Sequence, residues 1–292
     1  MASLFSLRRL PLLLLATLLL SGCSSLFFYP MKPWVQNPAR LGLAYQDVVL
    51  IEADGTRIDG WWLPAAAPLK GTVYYLHGNA QNISTHIMNV AWLPAAGYQV
   101  LLIDYRGFGL SDGKPTLDGA MTDIQTGLDW LKASGRQGKL PLIVYGQSLG
   151  ASMSTWVLAQ KQNVGKADCF IEEAGFADYQ GIVNDVMKKS WLLWPLRPLV
   201  VPFIDDRYAP VKAVGQLSLP LLAIHSRDDQ VVPFAQGQQL FAAAVEPKHF
   251  LAISGAHAEG PRNAEVRQQM LHFMSECGEV DTVVPDKGQW RF

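Results

Sequence analysis

The sequence predicts an α/β fold, with a mostly parallel central sheet, helices on both faces and a small helical cap insertion. Three observations carry this expectation. Apolar, β-branched runs alternate with longer helix-compatible segments, the pattern of strand-helix-strand units in a parallel sheet. Gly146-Gln147-Ser148-Leu149-Gly150 joins the apolar run 140–145 to the helix-compatible segment 151–159, placing a serine between glycines at a strand-to-helix turn. The 292 residues, 49% apolar and 17% charged, suffice for one full-sized core.

Taken in order, residues 47–51 and 57–63 are strands, and Asp54-Gly55 between them suits a hairpin turn and an antiparallel start. The alternation then runs through a strand at 71–77, a helix at 85–96, a strand at 99–104, a helix at 117–133 and a strand at 140–145. Further strand runs lie at 169–173, 221–226 and 249–253, and a helix at 262–275 closes the domain. Between 178 and about 215 the alternation stops, and Trp191, Leu192, Leu193, Trp194, Leu196, Leu199 and Phe203 crowd among Pro195, Pro198 and Pro202. This is the cap. Apolar clusters are usually core, so core packing is expected for most of these residues, the alternative being a substrate pocket or a lean on a membrane.

The N-terminus differs in kind. Arg8 and Arg9 precede an apolar run over 10–20, shorter than the roughly 20 residues that span a bilayer, so it reads as a signal-peptide core. Leu20-Ser21-Gly22-Cys23 resembles a bacterial lipobox, which implies cleavage before Cys23 and lipidation of its thiol. The expected organisation is a lipoprotein signal peptide at 1–22, a lipidated, proline-containing tether at 23–44, a domain at 45–278 and a tail at 279–292. Ser24, by resemblance to enterobacterial lipoproteins, implies the periplasmic face of the outer membrane, with the protein tied to the bacterial envelope through Cys23. Cys169 and Cys277 remain; they can pair, but Cys169 opens a strand-like run and a buried free thiol is the expected state. A net charge of −1 argues against a nucleic-acid partner. No metal spacing appears, and neither a metal nor an organic cofactor is expected.

A serine hydroxyl needs a base to remove its proton, and that base needs a carboxylate to hold its tautomer. The elbow at Ser148 resembles that of α/β-hydrolases, where serine, acid and histidine follow in that order on loops after strands. Asp228-Asp229 lies just beyond the run 221–226, and His257 lies in the glycine-containing loop beyond 249–253. His225, ending a strand before the acid, is expected to be a buried histidine satisfied by the backbone.

Five markers in order extend the resemblance over about residues 47–274: Leu76-His77-Gly78-Asn79-Ala80, Asp104-Tyr105-Arg106-Gly107-Phe108-Gly109-Leu110-Ser111, the elbow, the Asp229 loop and Gly255-Ala256-His257. The chain is similar to α/β-hydrolases of the Bem46-like and serine-aminopeptidase-like group. That resemblance implies Asp229 as the acid, four residues before Pro233, with Asp178 as a backup. It also implies the backbone N–H of Asn79 as an oxyanion donor beside that of Leu149, which starts a helix. Asp104 and Arg106 are expected to organise the loop beneath the site.

The function expected is that of a serine hydrolase acting on esters of hydrophobic acyl groups through an acyl-enzyme on Ser148. Two alternatives stand beside it: a serine aminopeptidase, with Asp205 and Asp206 as candidate partners for a free amine, and a non-catalytic anchored binding protein.

Overall fold

The computed structural model describes residues 27–277; the signal peptide, Cys23 and the 279–292 tail lie outside them. The described residues form an eight-stranded sheet. In chain order its strands are β1 (Gln46–Ile51), β2 (Arg57–Leu63), β3 (Gly71–Leu76), β4 (Tyr98–Ile103), β5 (Leu142–Gln147), β6 (Cys169–Glu173), β7 (Leu221–Ser226) and β8 (Lys248–Ile253). Across the sheet they stand in the order β1-β2-β4-β3-β5-β6-β7-β8. Only β2 runs against the others, pairing antiparallel with β1 and β4. The hairpin joining β1 to β2 turns at Gly55, where Thr56 N–H donates to Asp54 Oδ1 at 2.8 Å.

Every residue of β3 to β7 is buried, as parallel strands covered on both faces require. Alternate side chains of these strands enter two separate cores. Tyr74, Leu76, Val144 and Phe170 pack with helices α1 (Leu117–Ser134) and α2 (Leu149–Leu158). Val73, Tyr75, Ile143 and Ile171 pack on the other face with α5 (Ala264–Glu276). Caps set the helix limits: Thr116 accepts from Gly119 N–H at 3.1 Å, and Asn263 accepts from Glu265 N–H at 2.8 Å. Helix α4 (Phe234–Ala243) follows β7.

Three expectations require correction. Cys169 and Cys277 form a disulfide, because the first residue of β6 and the residue after α5 meet with Cα atoms 5.8 Å apart. The segment expected as a tether is packed from Phe27 onward: Phe28 meets Phe108 edge-on, and Trp34 donates to Asp104 Oδ2 at 2.8 Å. Most strongly apolar cap residues are not core. Trp191, Leu192, Trp194, Leu199 and Phe203 are exposed, because the prolines break the cap into single turns too short to bury both sides. The cap's one longer helix, α3 (Tyr179–Lys188), buries Tyr179, Ile182 and Met187.

Candidate active site

The elbow follows β5. Its serine has φ 53° and ψ −119°, a conformation costing roughly 1–3 kcal/mol that persists only where the surroundings impose it. They do so through close approach. A Cβ on Gly146 would lie 2.6 Å from Ala151 Cα, and one on Gly150 would lie 2.3 Å from the Leu76 carbonyl. Ser148 N–H donates to the Glu173 carbonyl of the neighbouring strand at 2.8 Å, fixing the turn against β6.

Loops beyond β7 and β8 bring the other two predicted residues to Ser148. His257 Nε2 lies 2.9 Å from Ser148 Oγ, and His257 Nδ1 lies 2.7 Å from Asp229 Oδ2. The second oxygen of Asp229 accepts the N–H groups of Val231 and Val232 at 2.8 and 2.9 Å. Burial pushes this carboxyl up, but the His257 hydrogen bond and charge, with those two N–H donors, outweigh it and hold Asp229 below the usual carboxylate range. Asp228 faces elsewhere, accepting Gly255 N–H at 3.2 Å. Asp178 caps α3 by accepting Gly181 N–H at 2.5 Å. His225 is buried, its Nε2 3.0 Å from the Val232 carbonyl, and burial lowers its pKa, so it stays neutral as a spacer behind Asp229.

The two predicted N–H donors belong to residues that line one cavity with Ser148. Leu149 opens α2, where the first N–H groups lack intrahelical partners and the dipole favours an anion. Asn79 lies in the loop after β3, and a Cβ on its neighbour Gly78 would come 3.5 Å from Ser148 Cβ. That loop is held by the N-terminal segment: Tyr29 N–H donates to the Asn79 carbonyl at 2.7 Å, and Met31 N–H to the Gln81 carbonyl at 3.0 Å. Beneath it, Asp104 accepts Ile83 N–H at 2.8 Å, and burial pushes its carboxyl up to about 7. Arg106 donates from Nε to Asp123 at 2.9 Å and pairs with Glu52 at 2.5 Å, the loop-organising role expected of it.

Two residues passed over in the sequence connect these parts. Gln147 donates to Glu173 Oε2 at 2.6 Å and to the Ala258 carbonyl at 3.2 Å, while its Oε1 accepts from Asn89 at 2.6 Å. Glu173 accepts Gly260 N–H at 2.7 Å and the Tyr145 hydroxyl, so a buried carboxylate under the elbow holds the loop carrying His257. The signal available was Glu172-Glu173 ending an apolar strand run, since buried carboxylates persist only when bonded. Burial pushes both up, Glu172 to about 8.

Ser148 stands where two cavities meet. One, of about 400 Å³, lies under the cap between Phe27, Leu149, Phe176, Ile182, Met187 and Leu193. The other, of about 410 Å³, carries Thr85, His86, Asn89, Gln147, Glu259 and Arg262. Their lining residues share Ser148 and Asn79. The first suits an apolar chain and the second a polar group.

This strand order, with a serine on the turn after β5, defines an α/β-hydrolase. The chain belongs to the α/β-hydrolase superfamily and is a hydrolase: the family described as Serine aminopeptidase, S33 matches residues 67–202. YfhR of Escherichia coli K12 is 30% identical over 263 residues, covering 85% of this chain and 86% of that one. Human protein ABHD12B is 33% identical over 192 residues, 63% of this chain and 52% of its own. Among solved structures, the Pyrococcus furiosus esterase Pf2001 superposes with a TM-score of 0.70 at 22% identity, covering 85% of this chain and 99% of the esterase. The Pyrococcus horikoshii acylaminoacyl peptidase gives 0.62 at 15% identity, over 84% of this chain and 43% of the peptidase.

Proposed function

We propose that this protein hydrolyses carboxylic esters of hydrophobic acyl groups through an acyl-enzyme on Ser148, and that it does so anchored to a membrane through Cys23. The observation that carries the ester reading is the meeting of an apolar and a polar cavity at one hydroxyl. With the acyl chain under the cap, Ser148 Oγ attacks the carbonyl carbon as His257 Nε2 takes its proton. Asp229 fixes the tautomer and stabilises the imidazolium. The oxyanion faces the N–H groups of Asn79 and Leu149. Collapse breaks the bond to the alcohol oxygen, which takes the proton from His257 and leaves. Water then attacks the acyl-enzyme, gives its proton to His257, and collapse returns that proton to Ser148 as the acid departs.

The anchor draws support from the disulfide, a bond that persists in oxidising compartments outside the cytosol. A bacterial envelope location on the periplasmic face of the outer membrane is what the resemblance of the residues around Cys23 to lipoprotein signals implies. The aminopeptidase alternative draws no support from Asp205 or Asp206. Asp205 accepts from Arg207 at 2.7 Å, and Asp206 accepts Tyr179 N–H at 2.9 Å and pairs with Lys212 at 3.0 Å.

The test is a fluorophosphonate label beside an ester panel of graded acyl length and a set of amino-acid arylamides. Labelling of the wild type but not of Ser148→Ala, with esters turned over faster than arylamides, is the expected result. Absence of labelling on folded protein rejects the enzyme reading, and faster arylamide turnover replaces ester with peptide chemistry.

A further inference from the structure

The cap exposes large apolar side chains that a water-soluble surface avoids, and it does so beside the apolar cavity. Trp191 is 88% exposed, Phe203 72%, Leu199 69% and Leu192 62%. The intervening Leu193, Leu196 and Val200 line the cavity itself, so one face of the cap is continuous with the apolar chamber that holds Ser148. Arg197 stacks 5.4 Å over Trp194 on this face, whereas at the end of α3 Lys188 pairs with Asp185 at 3.1 Å and Lys189 donates to the Gln230 carbonyl. Aromatic rings beside basic side chains suit a lipid-water boundary with anionic headgroups. Among the described residues no helix is long and apolar enough to cross a membrane, so such a surface lies on a bilayer and does not span it.

An independent observation says what covers it. Phe27, the first described residue, lines the cavity under the cap and meets Tyr179 of α3 edge-on at 5.1 Å. Cys23 precedes Phe27 by four residues, a reach of at most about 14 Å even fully extended. The headgroup layer on each side of a bilayer is roughly 5–8 Å thick. A lipid on Cys23 therefore holds the rim of this cavity within about 6–9 Å of the membrane surface, too short a span for the domain to turn its cap far from the bilayer.

We infer that the cap docks on the bilayer through Trp191, Leu199 and Phe203, and that the apolar cavity opens toward the lipid phase, so that acyl substrates enter from the membrane. This rests on the proposed ester hydrolysis and on the anchor at Cys23, and gives both a direction.

The full chain, processed in its host, is reconstituted in vesicles of phosphatidylethanolamine and phosphatidylglycerol at about three to one, with and without brominated acyl chains. The brominated lipid is expected to quench the emission of the wild type more than that of Trp191→Phe, the difference reporting Trp191 in the acyl boundary. Equal quenching of the two overturns the docking. In parallel, Leu199→Glu with Phe203→Glu is expected to slow hydrolysis of a vesicle-embedded long-chain ester at least tenfold, leaving a water-soluble short-chain ester within twofold. Equal rates on the embedded ester overturn the entry route, as does a cap face buried between two copies of the chain in vesicles. Wild type inactive on both esters rejects the ester reading alone, since quenching still decides the docking. Should the double variant lose the soluble activity too, the quenching comparison decides.

Discussion

The backbone N–H of Tyr29 donates to the carbonyl of Asn79 at 2.7 Å, so the first described strand of the chain grips the loop that lines the cavities beside Ser148. Segment and site are one mechanical unit. Asn82 strengthens the grip by donating its side-chain amide to the carbonyls of Met31 and Pro33, both at 2.8 Å. Tyr29→Pro removes this donor, and Tyr29→Ala removes only the ring. A hydrogen bond of this kind is worth about 1 kcal/mol, so the proline variant is expected to show about fivefold lower kcat on a short ester than the alanine variant. Equal kcat in the two variants means that the strap does not position the Asn79 loop.

The adjacent aspartates separate cleanly. Asp229 meets His257 Nδ1, whereas Asp228 meets Gly255 N–H. Asp229→Asn is expected to lower kcat by about 10⁴-fold through the wrong histidine tautomer. Asp228→Asn is expected to stay within a few-fold of wild type. Steady-state kinetics on one short ester, with circular dichroism as a folding control, compares them.

Glu172 gives stability a pH dependence with an unusual sign. Its buried carboxyl accepts Gly175 N–H at 2.6 Å and keeps its proton to about pH 8, whereas the exposed carboxyl of an unfolded chain has a model value of 4.5. Between those values the folded chain binds the extra proton, so stability falls as pH rises from about 5 to 8 and levels above it. Asp104, raised to about 7, adds a fall in the same direction from about pH 4 to pH 7. Glu172→Gln keeps the acceptor and removes the titration, so its melting temperature is expected to decline less between pH 5 and pH 8. Calorimetric scans at the two pH values check this, and parallel declines in variant and wild type reject it.

The disulfide ties β6 to the residue after α5 across 108 residues of chain. Loop-entropy reasoning assigns such a link up to about 4–5 kcal/mol, of which measured cases often deliver less. Cys277→Ser with Cys169→Ala is expected to lower the melting temperature by roughly 5–15 °C and to leave turnover at 25 °C near wild type. An unchanged melting temperature shows that the link adds nothing measurable to the folded state.

Local chemistry explains which parts were legible. Ser148, Asp229 and His257 sit on loops announced by strand runs, and the glycines of the elbow mark backbone contacts too close for any Cβ, so short stretches carried their own signal. Cys169 and Cys277 carried none, because their meeting depends on where the final helix lies against the sheet. The cap is illegible for a different reason: a leucine-tryptophan cluster has the same composition whether it is buried or exposed, and the prolines that decide the matter act through backbone geometry. Gln147 carries no signal, because a side-chain network across separate loops leaves no spacing to recognise, whereas Glu173 carries only that of a carboxylate ending an apolar strand run.

On the proposed ester reading, the two cavities meeting at Ser148 also set the fate of the acyl group once the first product has gone. With the chain still seated under the cap, departure of the alcohol empties the polar cavity, and that vacancy is where the second nucleophile must arrive. Water has no monopoly there. A small alcohol that fits between Asn89 and Arg262 competes for the same carbonyl, so the ratio of free acid to new ester, measured against alcohol concentration, becomes a map of the cavity's preferences. By this account the shape of the polar chamber governs partition between hydrolysis and acyl transfer, and the apolar chamber governs which chains are passed on.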